Sequence, residues 1–488
     1  MQYKNPIIVQ DFSDPDAIRV GDDFFMIASS FNYVPGVPIL HSKNLVDWQV
    51  INYVYDKIPF SRFDSVVHGC GAWAPAIRYH DGWFYAIIPF PDEGIYVSKT
   101  KDPFGKWSEL WCLIPGKGIE DPCPIWIDDK AYLVVGFVKS RIGFNSCLGL
   151  YEVSVDLKEK ISDTYTIIYD GHNDNPTIEG PKFNEHNGYY YIMAPAGSVK
   201  TGWQVCLRSK NVYGPYETKI VLLQNDSKIN GPHQGALLDI DDNDNYAFIH
   251  FTDQNAYGRI VCLEPVEWHN DWPICGLCRD PLLGGSPVLS HDYLINIDVD
   301  HNDKNYLNHK YALSDDFKEK LNMHWQTPAN RKNDWFYVNK GLYYKGYNSN
   351  EPLHLYAASL SMKINSYAFN VNTLVSEVRS DVGLFVMGME YAYISLNNKM
   401  VQIIKGSFDG NEEIIYKEPY LEEKISFSLH FDGEKYYFGF NGNMLKQFEF
   451  VATKGKWVGS RIGIYSRNGN TSKFDFFNVE EVKKWRNW

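Results

Sequence analysis

The sequence lacks a long hydrophobic run. Among its 488 residues the longest apolar stretch, 131–138, is about eight residues long, whereas a membrane-spanning helix needs roughly 20. Residues 1–12 also lack the basic start, apolar centre and cleavage site of a secretory signal peptide. We therefore expect a cytoplasmic protein that does not bind membranes, and we leave open an export signal removed ahead of this start.

Positive charge is scarce as well. Lys and Arg total 47 against 60 Asp and Glu, for a net charge of −13 at pH 7, which argues against a nucleic-acid-binding protein with a basic face. The sequence contains no glycine-rich phosphate loop, no HExxH zinc motif and no GxSxG nucleophile elbow. Whether the chain forms a homo-oligomer is left open.

Cysteine is absent from everything after Cys278, and the eight cysteines before it show no disulfide framework. This usage fits a reducing cytoplasm. Cys275 and Cys278 form a lone CxxC pair, but a zinc or redox site would need a second pair or a βαβ context. We interpret the two as ordinary thiols near a turn.

Aromatic residues are abundant, at 16% of the chain, and such residues favour β-structure. A unit of an anchor residue, a short strand, a turn and an aromatic-rich strand occurs five times. A hairpin every 50 residues or so leaves room for two more strands, as in a propeller blade. Apolar positions alternate, which excludes helical repeats. We predict an all-β chain with a five-bladed β-propeller over residues 1–300, whose anchors are Asp14, Trp73, Asp121, Glu179 and His233.

The rest of the chain shows no such repeat. The polar, Asn- and Asp-rich stretch 298–310 predicts a linker. Strand-like runs follow, among them 353–360 and 425–429, and Asn441-Gly442-Asn443 predicts a hairpin turn. We therefore predict a separate, jelly-roll-like β-sandwich over residues 305–488, packed on the propeller or tethered to it.

The five anchors precede the innermost strand of each predicted blade, so we expect them to converge at one end of the central channel. Asp14, Asp121 and Glu179 are carboxylic acids, and crowded carboxylates must separate their pKa values. Such a set favours glycoside hydrolysis, in which an acid protonates the leaving oxygen and a base activates water. Trp73 then offers an apolar wall for a sugar ring.

Other interpretations stay open at this point. Asp or Glu before Pro or Gly usually caps a turn. Paired carboxylates also serve aspartic proteases, although as a closely spaced pair rather than three. A calcium-binding lectin, with the carboxylates as metal ligands, is the alternative without catalysis.

Five segments of the chain carry a family resemblance. They are Asn5-Pro6-Ile7 with Asp14-Pro15-Asp16, Trp73-Ala74-Pro75, Asp121-Pro122, Glu179-Gly180-Pro181 and Gly231-Pro232-His233-Gln234. In this order they resemble glycoside hydrolase family 43, and the resemblance covers nearly the whole chain. It implies a five-bladed propeller, often followed by a β-sandwich, and inversion of the anomeric centre. Family members include β-xylosidases, α-L-arabinofuranosidases, arabinanases and galactan hydrolases.

The resemblance also implies roles for the three carboxylates. Asp14 matches the general base and Glu179 the general acid, while Asp121 matches the carboxylate that orients the acid and adjusts its pKa. Asp16 is the closest competitor of Asp14, but the family's base is the Asp directly before this Pro. Cys123 departs from the pattern, because many members carry Ser there.

Three further residues match positions around the family's substrate. His233 matches a channel histidine that in many members faces a divalent cation, commonly calcium, through water, and its simpler interpretation is a hydrogen-bonded core histidine. Arg259 resembles an arginine that contacts substrate hydroxyls or the acid, and a surface ion pair is the alternative. Phe31 resembles an aromatic at the subsite wall, with plain packing as the alternative.

We therefore expect an inverting exo-acting enzyme of xylan degradation. It would release terminal β-1,4-linked xylose, and α-L-arabinofuranose as a second activity, from xylo- and arabinoxylo-oligosaccharides. The alternatives are an α-L-arabinofuranosidase, an endo-acting arabinanase or xylanase with an open groove, and a sugar-binding protein without catalysis. For the C-terminal domain we favour closure of the active site over carbohydrate binding.

Overall fold

Five antiparallel sheets of four strands form the first part of the chain in the computed structural model, which describes residues 2–295 and 313–483. A short strand, β1 (Gln2–Lys4), precedes them. The blades are, in chain order, β2 (Asp16–Val20), β3 (Asp23–Ile27), β4 (Gly36–Ser42) and β5 (Gln49–Tyr55); β6 (Ala76–His80), β7 (Trp83–Phe90), β8 (Gly94–Thr100) and β9 (Trp111–Pro115); β10 (Ile119–Ile127), β11 (Lys130–Phe137), β12 (Cys147–Val153) and β13 (Thr166–Asp170); β14 (Lys182–His186), β15 (Tyr189–Ala196), β16 (Trp203–Ser209) and β17 (Glu217–Leu223); and β18 (His233–Asp239), β19 (Tyr246–Asp253), β20 (Arg259–Trp268) and β21 (Pro273–Cys275).

The innermost strands of these sheets form a closed ring. Each of β2, β6, β10, β14 and β18 contacts the innermost strand of the next blade, and β18 returns to β2. Each pair of neighbouring blades shares a hydrophobic core, for example Val134 with Ile192 between the third and fourth blades. The predicted five-bladed β-propeller is therefore confirmed.

The N-terminal segment ties the first blade to the fifth. Strand β1 pairs with β22 (Ser290–Asp292). The side chain of Asn5 donates to the carbonyl of Leu263 at 2.9 Å and accepts from its N–H at the same distance. The ring is thus closed by hydrogen bonds from the start of the chain onto its last blade.

Two larger sheets face each other in the second part of the chain, as the predicted β-sandwich requires. On β31 (Ile425–Phe431) the alternate residues Ile425, Phe427 and Leu429 are buried between the sheets. The seven-stranded sheet has the order β23 (Phe336–Val338), β24 (Leu342–Tyr344), β35 (Ser472–Lys483), β26 (Ala368–Glu377), β31 (Ile425–Phe431), β32 (Lys435–Phe440) and β33 (Asn443–Val451); the six-stranded sheet has β25 (Leu360–Lys363), β34 (Arg461–Arg467), β27 (Asp381–Met387), β28 (Glu390–Asn397), β29 (Met400–Ser407) and β30 (Glu412–Pro419).

Helices are few and short. The α-helix α1 covers Lys139–Ile142, and 3-10 turns cover Ser61–Asp64, Asn255–Tyr257 and Leu353–Leu355. None of the helices within the described residues is long and apolar enough to cross a membrane.

Two local predictions differ from the structure. Asp121 and His233 lie inside β10 and at the start of β18 rather than before these strands. The strand predicted over 353–360 is wrong: a 3-10 turn begins there and β25 starts only at Leu360. Backbone groups in this stretch bond within turns and to side chains instead of to a neighbouring strand: Tyr356 N–H donates to the carbonyl of Leu353 at 3.0 Å, and Leu353 N–H donates to Glu412 Oε1 at 2.9 Å. The predicted linker 298–310 and the domain boundary at 300–305 lie outside the described residues.

The sandwich packs directly on the propeller through buried polar groups. Val34 exchanges two backbone hydrogen bonds with Thr327. The buried side chain of Asn330 donates to the carbonyl of Ile58 and accepts from its N–H, both at 2.9 Å, and also donates to Asp64 at 3.2 Å. These contacts make the two domains one packed unit.

Replacing Asn330 should therefore weaken the contact between the domains. The change Asn330→Ala leaves the buried N–H and C=O of Ile58 without partners, and we expect it to cost about 2–4 kcal/mol of unfolding free energy. Urea unfolding followed by tryptophan fluorescence measures this cost. The exposed Asn348→Ala is the matched control, and equal midpoints for the two variants would contradict the expectation.

Candidate active site

A cavity of about 150 Å³ lies where the innermost strands begin. Its lining includes the three predicted carboxylic acids together with Phe31, Trp73 and Arg259. His233 lies behind Glu179, with 3.5 Å between its Nε2 and Glu179 Oε1. The structure thus brings every site residue predicted from the sequence to one end of the propeller channel.

Asp14 is held in a fixed orientation by its backbone and by two side chains. Its φ of 55° lies in the left-handed region, where a non-glycine residue costs roughly 1–3 kcal/mol and tends to mark a functional site. Oδ2 accepts a hydrogen bond from Ser29 Oγ at 2.6 Å, and Arg259 Nη1 lies 3.0 Å from Oδ1. Asp16 instead pairs with Arg78 at 2.7 Å and is absent from the cavity lining.

Asp121 contacts the backbone next to Glu179. Its Oδ2 accepts from the N–H of Gly180 at 2.8 Å, and its Oδ1 accepts from Gln234 Nε2 at 3.3 Å. Gly180 has a φ of 58°, and a Cβ there would lie 2.8 Å from the Gln234 side chain. Asp121 thereby fixes the peptide that follows Glu179, which is the geometry expected of an orienting carboxylate.

Burial and mutual repulsion separate the pKa values of these acids. Burial raises the pKa of Glu179 to about 8, and the negative charges of Asp121 and Asp14 add to the rise. Burial also raises the pKa of Asp121 to about 6, against the lowering effects of Lys182 and of the Gly180 N–H. At neutral pH Glu179 is therefore protonated while Asp121 is ionised.

Lys182 is a charged residue of the channel that the sequence reasoning missed. Its side chain is fully buried on β14, and its Nζ has no hydrogen-bond partner among the described residues. It lines a second cavity of the channel together with Asp16 and Arg78. Its position directly after the Glu-Gly-Pro segment was the available signal.

His233 is neutral near pH 7, because burial and the charges of Arg259 and His250 lower its pKa to about 3. Both ring nitrogens are buried without a hydrogen-bond partner in the described part of the chain, which fits contact with ordered water. The groups of three or more metal-ligating side chains among residues 2–295 and 313–483 do not include His233: they are Cys147 with Asp170 and His172, and Glu267 with His269 and Cys278. The two unpartnered nitrogens are compatible with water that in turn binds a cation.

Aromatic rings form the walls of the cavity. Phe31, with a φ of 51°, lies 6.4 Å from Trp73 between ring centroids. Trp457 of the sandwich lies 6.3 Å from Trp73 on the other side and is half exposed. Sequence reasoning missed Trp457, because it belongs to a loop of the second domain that no repeat links to the anchors.

One carboxylate, that of Asp11, connects the Trp457 loop to the fifth blade. Asp11 Oδ1 accepts from the N–H of Arg259 at 2.8 Å, and Asp11 Oδ2 accepts from the N–H of Gly459 at 3.0 Å. Lys454 of the same loop pairs with the buried Asp253. The second domain therefore supplies one wall of the cavity and is held in place by residues beside the site.

Comparison with known proteins agrees with this geometry. The family model described as "Glycosyl hydrolases family 43" matches residues 3–273, and the model described as "Beta xylosidase C-terminal Concanavalin A-like domain" matches residues 314–480. A protein of Xylanibacter ruminicola named "Putative beta-xylosidase" is 33% identical over 94% of this chain and 85% of its own length. A beta-xylosidase of Formosa agariphila is 28% identical over 96% and 87%.

Two further similarities are informative. A non-reducing end alpha-L-arabinofuranosidase of Bacteroides ovatus is 32% identical over 56% of this chain and 53% of its own length. The crystal structure of a xylan beta-1,4-xylosidase from Bacillus halodurans superposes with a TM-score of 0.83 over 98% of this chain and all of that one, at 22% identity. At that identity the superposition supports the fold alone.

The separated pKa values predict a bell-shaped pH dependence. In the predicted roles Asp121 is ionised and Glu179 protonated, so kcat/KM for glycoside hydrolysis should fall below about pH 6 and above about pH 8. Initial rates measured from pH 4 to 10 test this. The variant Glu179→Gln should lose the alkaline limb, and a wild-type rate that stays constant through pH 9 would contradict the assignment of Glu179.

Proposed function

Since this chain belongs to glycosyl hydrolase family 43 and is an inverting glycoside hydrolase acting on a carbohydrate, we propose that it removes terminal β-1,4-linked xylose from short xylo-oligosaccharides. The observation that carries this proposal is the small carboxylate cavity that Trp457 borders. Two relatives that align with most of this chain are named as beta-xylosidases, which supports xylose as the sugar.

The size and walls of the cavity support exo-action. A space of about 150 Å³ between Phe31, Trp73 and Trp457 suits one sugar ring against aromatic faces better than a long chain in an open groove. The C-terminal domain in this proposal closes the site, because its loop supplies Trp457 and binds Asp11. An endo-acting enzyme would need the cavity to continue as a groove on both sides.

The proposed mechanism uses the three carboxyl groups in different protonation states. Glu179 donates its proton to the glycosidic oxygen as the bond from that oxygen to the anomeric carbon breaks. Asp14 takes a proton from a water molecule, whose oxygen bonds to the anomeric carbon from the opposite face. Asp121 holds the peptide beside Glu179, and Arg259 holds Asp14.

A second candidate activity has one observation in its favour. A relative of Bacteroides ovatus that aligns with 56% of this chain is named as an alpha-L-arabinofuranosidase. Terminal arabinofuranose has a size and hydroxyl content similar to those of xylose, so we propose its release as a side activity. The ratio of the two activities decides which of them is the principal function.

A parallel assay tests the proposed substrate. Wild-type enzyme should hydrolyse p-nitrophenyl β-D-xyloside and xylobiose faster than p-nitrophenyl α-L-arabinofuranoside, and proton NMR should show α-xylose as the first product. Glu179→Gln, purified identically, controls for contaminating enzymes and should lose xylobiose hydrolysis by at least about 100-fold. Cleavage of the arabinofuranoside with inert xylobiose would instead establish an arabinofuranosidase.

A hydrated divalent cation beside His233, calcium by analogy with the family, belongs to the same proposal. Such an ion would adjust the charge around Glu179 while the chain's own carboxylates perform the proton transfers. Treatment with a chelator should then lower kcat, and added calcium should restore it. Full activity in the chelated enzyme would leave His233 as a neutral contact of Glu179 without a metal.

A further inference from the structure

A fourth carboxylic acid lines the active-site cavity, and neither the repeat nor the proposed mechanism uses it. Glu120 is only 8% exposed and lies beside Asp121 in the cavity wall. Among the described residues its carboxyl group receives no hydrogen bond and forms no ion pair. Its carboxyl oxygens are therefore open to the cavity and free to bind a group inside it.

The backbone of β10 turns Glu120 into the cavity. Successive residues of a regular strand point to opposite faces, so Glu120 and Asp121 should not share one. Between Glu120 and Cys123 the pairing with β11 shifts register, and Asp121 has a φ of 53°. This bulge directs both carboxyl groups into the same cavity.

A glycine on the neighbouring strand makes room for both acids. Gly136 pairs with Glu120 across the sheet. A Cβ at Gly136 would lie 3.3 Å from Asp121 Oδ2 and 3.5 Å from Glu120 Cγ. The local sequence thereby accommodates two carboxyl side chains where a regular strand would present one.

The surroundings favour the neutral form of Glu120. Burial raises its pKa well above the usual range, and repulsion from the carboxylates of Asp121 and Asp14, and from Glu179 once that group is ionised, adds to the rise. The positive charge that opposes this rise belongs to Arg141, which is bound to Asp92 at 2.9 Å and lies over the Trp73 ring. A neutral carboxylic acid both donates and accepts a hydrogen bond.

A buried polar group without a partner lowers stability. The other acids of the cavity have tasks: Asp14 pairs with Arg259, Asp121 binds Gly180, and Glu179 is the proposed proton donor. For Glu120 the missing partner is a group that enters the cavity from outside. Sugar hydroxyls carry the matching donor and acceptor.

We propose that Glu120 is a substrate-binding residue whose carboxyl group hydrogen-bonds a ring hydroxyl of the sugar in the cavity, and so selects for sugars that carry that hydroxyl. This inference rests on the proposed glycosidase function and deepens it. It separates substrate recognition by Glu120 from proton transfer by Glu179 and Asp14.

Two substitutions distinguish the proposed role from a catalytic one. Glu120→Ala removes the hydrogen bond and should lower kcat/KM for p-nitrophenyl β-D-xyloside about 10- to 100-fold. Glu120→Gln keeps a neutral donor and acceptor of the same shape and should lower it less than about fivefold, with the pH profile unchanged. The exposed Glu185→Ala on β14 is the matched control and should behave as wild type.

Substrate analogues identify the contact directly. We expect one of the 2-, 3- and 4-deoxy analogues of the xyloside to lose rate with wild-type enzyme but not with Glu120→Ala, because the variant has already lost that hydrogen bond. If each of the three analogues lost as much rate with Glu120→Ala as with wild-type enzyme, the proposal would be overturned. Equal inactivation by Gln and Ala, with a changed pH profile, would also overturn it by making Glu120 a proton-transfer group.

Failure of the proposed substrate gives a different result. Wild-type enzyme that is inert to xylosides but cleaves the arabinofuranoside would overturn the xylosidase proposal alone. The same comparison of wild-type enzyme with Glu120→Ala, made on deoxy-arabinofuranosides, then decides the role of Glu120. Circular dichroism and unfolding midpoints of both variants, compared with those of Glu185→Ala, establish that any loss of rate arises in a folded protein.

Discussion

The crowding of carboxyl groups in a small cavity is the constraint on which this molecule depends. Four acids share the space, and Arg259 and the buried Lys182 provide the positive charge near them. Because burial and repulsion both oppose ionisation, at least one acid keeps its proton at neutral pH. The fold tolerates left-handed backbone at Asp14 and Asp121 to hold these groups together.

The two domains divide this task unequally. The propeller fixes the acids, because each lies near the start of an innermost strand and the closed ring holds those strands in register. The sandwich contributes a wall through Trp457, while its own core lies between its two sheets. The propeller channel therefore holds the carboxyl groups in place. The loop that contains Trp457 encloses them, and hydrogen bonds hold that loop against the propeller.

The sequence predicted three acids of the cavity but not all of the residues that line it. Asp14, Asp121 and Glu179 could be placed together because the repeat assigns each to the same position of its blade. Glu120 could not, because strand alternation points it away from Asp121 and a bulge is not readable from residue types. The strand predicted over 353–360 is wrong because turn hydrogen bonds and contacts with side chains occupy its backbone groups. Trp457 was not predicted, because its closeness to Trp73 across the domain interface leaves no pattern in the local sequence.

The contacts of Asp11 have a consequence for the folding of the enzyme during synthesis. One carboxylate oxygen binds the backbone of Arg259 and the other binds Gly459, so the site joins segments from near the start and near the end of the chain. During synthesis all of the acids leave the ribosome long before the loop that encloses them. The nascent chain therefore carries its carboxyl groups unenclosed until the segment with Trp457 and Gly459 docks against them.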